Sequence, residues 1–301
     1  MIKERSKLHI ALTVTLIVAL VLGVSVLVLL LLHRSGVFGE EPEQTVKQTE
    51  ASQTTQEQPI SETETVPETT ESPIPLNRFS PQDFAYDGEY LTCTSEECLM
   101  GIDVSRYQSE IEWDKVKEAG FSFVMIRVGY RGYGQAGTMR PDDMAQLHYQ
   151  GAKEAGLMIG AYFFSQAVSV EEAREEALYA MELTKDWEMD LPIVYDWEFI
   201  SDTARTADVD ADTLTACAKA FCQEISDVGK KTMIYVSPWY GNLHLDQLKE
   251  YPQWIALYKD HMDYKYHFDM WQYTSKGKVP GVSGDVDINI FFPYGQNEVW
   301  P

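Results

Sequence analysis

Hydrophobic positions fall into three regimes along the chain. Residues 10–32 are uncharged and almost wholly apolar. Residues 33–75 are mostly Glu, Thr, Gln, Ser and Pro. From residue 100 onward, short apolar runs alternate with amphipathic segments. Eight runs stand out, at 100–104, 123–128, 158–164, 191–195, 232–236, 254–257, 270–273 and 286–291. Each is short and rich in Val, Ile, Phe and Tyr, the composition of strands buried on both faces.

The segments between the early runs have helical spacing. Residues 111–118 carry Trp113 and Val116, and residues 142–154 follow Pro141, a favourable first-turn residue. Residues 170–187 place Ala173, Ala177 and Met181 among acids, and residues 211–228 repeat Leu214, Ala218, Phe221 and Ile225. A shorter helix is predicted over 240–249. After the sixth run the helical pattern fades. This order predicts an α/β fold, a modified TIM-like (β/α)5(β)3 barrel of parallel strands. A doubly wound open sheet is the alternative that the same alternation allows.

The first two regimes set the domain organisation. Residues 10–32 have the length of roughly 20 apolar residues that crosses a bilayer. Lys3, Arg5 and Lys7 precede them, and the sequence turns acidic after Arg34. The positive-inside bias predicts a cytoplasmic N-terminus at 1–9, a single-pass signal-anchor helix in the cell membrane and an extracellular remainder. The apolar core is too long for a cleaved signal peptide, and no A-x-A site follows it. Residues 33–75 cannot bury enough apolar surface to fold and are expected to be a disordered linker. An N-terminal arm at 76–98 is expected to lengthen this tether to roughly 65 residues, with a reach of about 45 Å. The domain proper is placed at 99–301.

Charge and cysteine narrow the function. The net charge of −23 excludes the basic footprint of a nucleic-acid surface. Cys93 and Cys98 flank TSEE, and outside the cytoplasm such a pair is expected to close a small disulfide loop. Cys217 and Cys222 lie about 140° apart around a helix and are expected to be buried thiols. The histidines show no metal spacing, so neither metal nor cofactor is expected. GYGQAG at 132–137 satisfies G-x-G-x-x-G, but MRP separates it from the helix and no acid ends the next strand. A cleft loop suits it better than a dinucleotide site. The DVDAD run at 208–212 lacks the Gly and terminal Glu of a calcium loop and reads as a helix cap.

Chemistry in parallel barrels gathers where strands end. Run 191–199, LPIVYDWEF, ends in Asp196 and Glu198. Strand residues two apart share a face, so both carboxylates are expected at one mouth. Two acids that close do not ionise independently, and one pKa rises. A protonated acid beside an anion is what glycosidic cleavage needs. A lone D-x-E also serves as an ordinary solvated turn. Asp103 after the first run and Asp287 in the eighth make convergence the better reading.

Several stretches together resemble glycoside hydrolase family 25, the Chalaropsis-type lysozymes or N-acetylmuramidases. They are MGIDVSRYQ at 100–108, LPIVYDWE at 191–198, WQYTS at 271–275 and GDVDIN at 284–289, in order over about two-thirds of the chain. The resemblance implies a barrel with five helices. It implies hydrolysis of the β-1,4 bond between N-acetylmuramic acid and N-acetylglucosamine in peptidoglycan glycan strands. On matching positions it implies Glu198 as general acid/base, Asp196 as the residue orienting the substrate acetamido group, and Asp103 and Asp287 as supporting acids. Family members often carry a K-A-T-E-G-like stretch after the second strand; this chain has IRVGYRGYG at 126–134, which puts the detail of substrate contact in question.

Tyr107, Tyr130, Tyr162 and Trp271 are candidate sugar contacts, because aromatic rings pack on the apolar faces of sugars. Gln272 joins them from the 271–275 motif. Each aromatic equally suits core packing. Two other functions fit the same residues: a non-catalytic module binding wall glycan, and a glycosidase acting on another N-acetylated glycan such as chitin. The expected partners are glycan strands and, through residues 10–32, the lipid bilayer.

Overall fold

Each of the eight apolar runs becomes a strand, and the strands close into a ring. A computed structural model describes residues 74–238 and 243–293. The expected membrane helix and acidic linker lie outside the described residues. Among the described residues no helix is long and apolar enough to cross a membrane.

In chain order the strands are β1 (Phe84–Asp87), β2 (Tyr90–Cys93), β3 (Leu99–Val104), β4 (Phe123–Arg131), β5 (Met139–Pro141) and β6 (Met158–Ser165). They continue as β7 (Ile193–Trp197), β8 (Thr232–Val236), β9 (Gln253–Ala256), β10 (Met270–Gly277) and β11 (Val286–Phe291). The helices are α1 (Trp113–Glu118), α2 (Ala145–Glu154), α3 (Val170–Leu183), α4 (Ala211–Asp227) and the single turn α5 (Leu245–Leu248). The ring runs β3-β4-β6-β7-β8-β9-β10-β11, and the β3–β4 and β11–β3 pairings close it. An open doubly wound sheet is thereby excluded. Asp210 caps α4, accepting from the Thr213 amide at 2.7 Å, so the acidic run there starts a helix.

One strand departs from the parallel expectation. β11 runs antiparallel to both β10 and β3. Only residues 278–285 link β10 to β11, whereas a parallel crossover needs a dozen or more. The reversal matters for chemistry. It brings the start of β11 to the mouth where the parallel strands end, and pairs Asp287 with Asp103. In an all-parallel barrel Asp287 would sit at the opposite end.

The period-2 alternation sorts the core into two layers. Phe123, Met125, Val194, Met233, Trp254, Met270 and Phe291 fill the barrel interior. Ile102, Val124, Ile126, Ile193, Ile234 and Ile255 face outward into a second core shared with Ala173, Ala177, Phe221 and Ile225 of the helices. The interior is narrow: a Cβ on Gly101 would lie 2.4 Å from the Phe123 ring, too close for any side chain unless the ring shifts.

No helix follows β9 or β10 to cover their outer faces. The arm at 76–98 covers them instead, which corrects its reading as tether. Phe79 packs on Phe292 with ring centroids 4.5 Å apart, and Phe84 meets Trp271 edge-on at 5.0 Å. Leu91 is fully buried, its amide donating to the Tyr273 hydroxyl. The arm is part of the hydrophobic core and replaces the missing helices.

The expected Cys93–Cys98 disulfide is absent; both thiols are free. The Cys98 sulfur accepts from the Cys93 amide at 3.3 Å, while the Cys93 sulfur lies against Ser95 Oγ. Cys217 and Cys222 are buried on α4, and burial pushes both thiols up to about 12.

Candidate active site

The barrel interior is apolar at depth and acidic at the mouth. Residues that continue the inward register there are Asp103 on β3, Arg127 on β4, Tyr162 on β6, Asp196 on β7, Gln272 on β10 and Asp287 on β11. Glu198 follows one residue after β7 ends and lines the same cleft. The cleft holds about 260 Å³, a little under the roughly 300–1,000 Å³ typical of ligand pockets, and it opens to solvent at the mouth.

A hydrogen-bonded frame fixes Asp103. Its Oδ2 accepts from Gln272 Nε2 and from Asn289 Nδ2, both at 2.8 Å. Asn289 Oδ1 accepts from the indole of Trp254 at 2.9 Å. Gln272 Oε1 accepts from the hydroxyls of Tyr235 and Tyr258, each at 2.9 Å. Five strands and loops are thus tied to one carboxylate.

Glu198 is held from behind. Gln166, fully buried after β6, donates through Nε2 to the Glu198 carbonyl at 3.0 Å. Gln166 Oε1 accepts from Thr206 Oγ1 at 2.9 Å. Beneath it, buried Glu176 accepts from Arg131 Nε and Ser165 Oγ, both at 2.6 Å. Burial raises the Glu176 carboxyl to about 7 despite both partners. This polar layer keeps the backbone beyond β7 in place where the ladder has ended.

Four carboxyl groups share the cleft, and each is pushed upward chiefly by burial. Asp103 rises to about 6, with Asn289 and Gln272 opposing the shift. Asp287 rises to about 8, with Asp103 and Glu198 adding repulsion. Glu198 rises through burial and then Asp103, opposed by Arg127. Asp196 is raised by burial, then by Glu198 and Asp103. Both acids of the pair are thus pushed upward, as crowded carboxyls that cannot ionise independently must be. Asp196 Oδ1 is buried and has no hydrogen-bond donor among the described residues. Arg127 is the cation lining the cleft, but its charge is shared with Asp142 at 2.8 Å.

The raised carboxyls make the fold pH-sensitive. An acid whose folded pKa exceeds its unfolded value supports the fold fully below the unfolded pKa, and that support is lost as pH rises through the folded one. For Asp103 and Asp287 the window runs from about pH 4 to about pH 8. Stability is expected to fall across it, and Asp287→Asn to flatten the upper part of the fall. Urea midpoints at a series of pH values read this directly; an unchanged slope in the variant contradicts it.

Among the sugar-contact candidates, Tyr107, Tyr162 and Gln272 line the cleft with the four acids. Trp271 does not. It points outward from β10, fully buried, its indole donating to the Leu257 carbonyl at 2.7 Å. Adjacent strand residues face opposite sides, so Gln272 inward forces Trp271 outward. Tyr130 also lies apart from the cleft lining, its hydroxyl accepting from Arg106 Nη1 at 3.1 Å. Residues that the sequence reading passed over are Arg127, Asn289, Tyr235 and Tyr258. The first three continue the inward parity from Met125, Asp287 and Met233 and were findable by counting in twos. Tyr258 lies past the end of β9, where no parity applies.

A closed barrel with paired carboxyls at the C-terminal mouth, walled by tyrosines, defines a glycosidase-type enzyme. The family model for glycosyl hydrolases family 25 matches residues 102–282. This chain belongs to that family and is a glycoside hydrolase. It is similar to the autolytic lysozyme of Clostridium acetobutylicum, 28% identical over 200 residues, covering 64% of this chain and 56% of that protein. Among solved structures, a bacterial lysozyme from Streptomyces coelicolor superposes with a TM-score of 0.52 and 26% identity, over 64% of this chain and 91% of that one. The modular autolysin LytC of Streptococcus pneumoniae shares the fold at a TM-score of 0.58 and 23% identity, over 73% of this chain. This chain spans about half of LytC, 52% of its length.

Proposed function

We propose that this protein is a membrane-anchored, outward-facing muramidase. It hydrolyses the β-1,4 bond between N-acetylmuramic acid and N-acetylglucosamine in peptidoglycan, with retention at the anomeric carbon. The observation that carries this reading is the orphaned Asp196 Oδ1, buried beside Glu198 in an acid-lined cleft.

An acetamido N–H of the substrate supplies the donor that Asp196 lacks. Accepting it stabilises the Asp196 anion and so lowers that pKa. The proton the two acids compete for then rests on Glu198. Glu198 passes it to the leaving glycosidic oxygen while the acetamido oxygen, aligned by Asp196, attacks the anomeric carbon from the opposite face. Glu198, now a base, takes a proton from the water that opens the cyclic intermediate. The net change is one bond hydrolysed with its configuration kept. Asp103, clamped by Gln272 and Asn289, adds negative potential near the developing oxocarbenium charge.

The relatives support the substrate class. One is named an autolytic lysozyme, and LytC has been solved in complex with a synthetic peptidoglycan ligand. A binding-only role gives no use for four carboxyl groups crowded into one cleft, two of them buried and all of them pushed upward. The test is proton NMR of the first product formed from a defined glycan oligosaccharide. The expected first anomer is β, appearing before mutarotation. An initial α-anomer refutes the acetamido mechanism.

A further inference from the structure

A second groove adjoins the catalytic cleft. It holds about 650 Å³ of open space between the β1–β2 hairpin and β10. Tyr86 and Tyr90 of the hairpin form one wall, and Tyr258, Tyr273 and Thr274 form the other. Tyr258 belongs to both sites. Its ring lines the groove and the cleft, and its hydroxyl donates to Gln272, which holds Asp103. Tyr258 is thus the residue at which the two sites meet.

The hairpin wall is tied to the barrel. Tyr90 donates to the Lys278 carbonyl at 3.1 Å and packs edge-on against Phe121 at 5.0 Å. The hairpin lies outside residues 102–282, which the family model matches. Two of the rings are presented to solvent: Tyr86 is 57% exposed and Tyr258 51%. Exposed rings with polar tips along an open groove suit the apolar faces and hydroxyl edges of sugars.

The charges point the same way. Lys259 and Lys278 in the groove are paired with Asp263 and Asp285. Lys276 shares the lining with Glu89 and Asp260, and its charge acts on Asp285. No surplus of positive charge remains to recruit a strongly acidic peptide, and the ring faces are left as the recognition surface.

We propose that this groove is a distal glycan subsite, built by the N-terminal hairpin, that holds N-acetylated sugars of the same strand several residues from the scissile bond. The proposal rests on the glycan-hydrolase reading. It predicts that affinity grows with strand length and that Tyr86 carries part of the growth.

The test uses the full chain carrying Glu198→Gln, so that strands stay whole. Binding of peptide-free tetrasaccharide and of strands of eight or more sugars is measured by calorimetry, with and without Tyr86→Ala. The expected result is a loss of about threefold to tenfold on long strands, no change on the tetrasaccharide, and recovery with Tyr86→Phe. Equal loss on both lengths, no loss on either, or loss confined to strands bearing stem peptides overturns the proposal. Turnover by the unsubstituted chain separates the two readings. Cleavage without a Tyr86-dependent length effect sinks the groove and leaves the hydrolase. Length-dependent binding through Tyr86 without cleavage sinks the hydrolase and leaves the groove.

Discussion

Glu198→Gln is expected to reduce turnover of peptidoglycan by about 10²–10⁴-fold, the usual contribution of a positioned acid/base, while leaving the fold intact. The amide keeps the size of the carboxyl but carries no transferable proton. The sugar leaving group is a poor one and departs slowly unless protonated, so the first step stalls. An aryl glycoside with an acidic phenol leaves without that proton, and its first step is expected to be far less affected. The contrast between the two substrates separates loss of a proton donor from loss of binding. Equal damage to both, or near-normal turnover of peptidoglycan, removes Glu198 from this role. Thermal melting of the variant guards against misfolding. The backbone at Glu198 is fixed through its carbonyl by Gln166 and does not depend on the side chain.

Asp196→Asn is expected to cost on the order of 10²-fold or more in kcat, by analogy with removal of one preorganised electrostatic partner. The asparagine amide keeps an acceptor, but it no longer holds an anion opposite the acetamido N–H or stabilises the charge that builds on it. A second signature follows from the coupled acids. The charges of Asp196 and Glu198 repel, so a neutral residue at 196 lowers the pKa of Glu198. The upper limb of the pH–rate profile is expected to move to lower pH, because Glu198 then gives up its proton sooner. A fall in rate with an unmoved limb assigns Asp196 to structure alone.

Much of this fold was legible as pattern. The eight strands follow from eight apolar runs, and four helices from their spacing. The reversed β11 was also readable in principle, since residues 278–285 are too few for a parallel crossover. The arm was not legible. Phe79 and Phe84 sit among polar residues without period, and only the bare outer faces of β9 and β10 give them a place to pack. The site divides in the same manner. Asp103, Asp196, Glu198 and Asp287 stand in strand ends, where parity and topology direct them to one mouth. Trp271 was misassigned because an aromatic at a strand end looks like a sugar platform. Counting in twos from Gln272 sends it outward. The supports for Glu198 come from β4, α3 and the loop after β7, including Arg131, Glu176 and Thr206. They are far apart in sequence, and their meeting depends on the closed barrel.

The acid-lined cleft is expected to cut wall glycan on the muramic acid side. The most direct measurement is mass spectrometry, after borohydride reduction, of fragments released from purified peptidoglycan by the full chain. Every new reducing end is expected to be N-acetylmuramic acid, and none is expected with Glu198→Gln. New reducing ends of N-acetylglucosamine, or no fragments from the unsubstituted protein, contradict it.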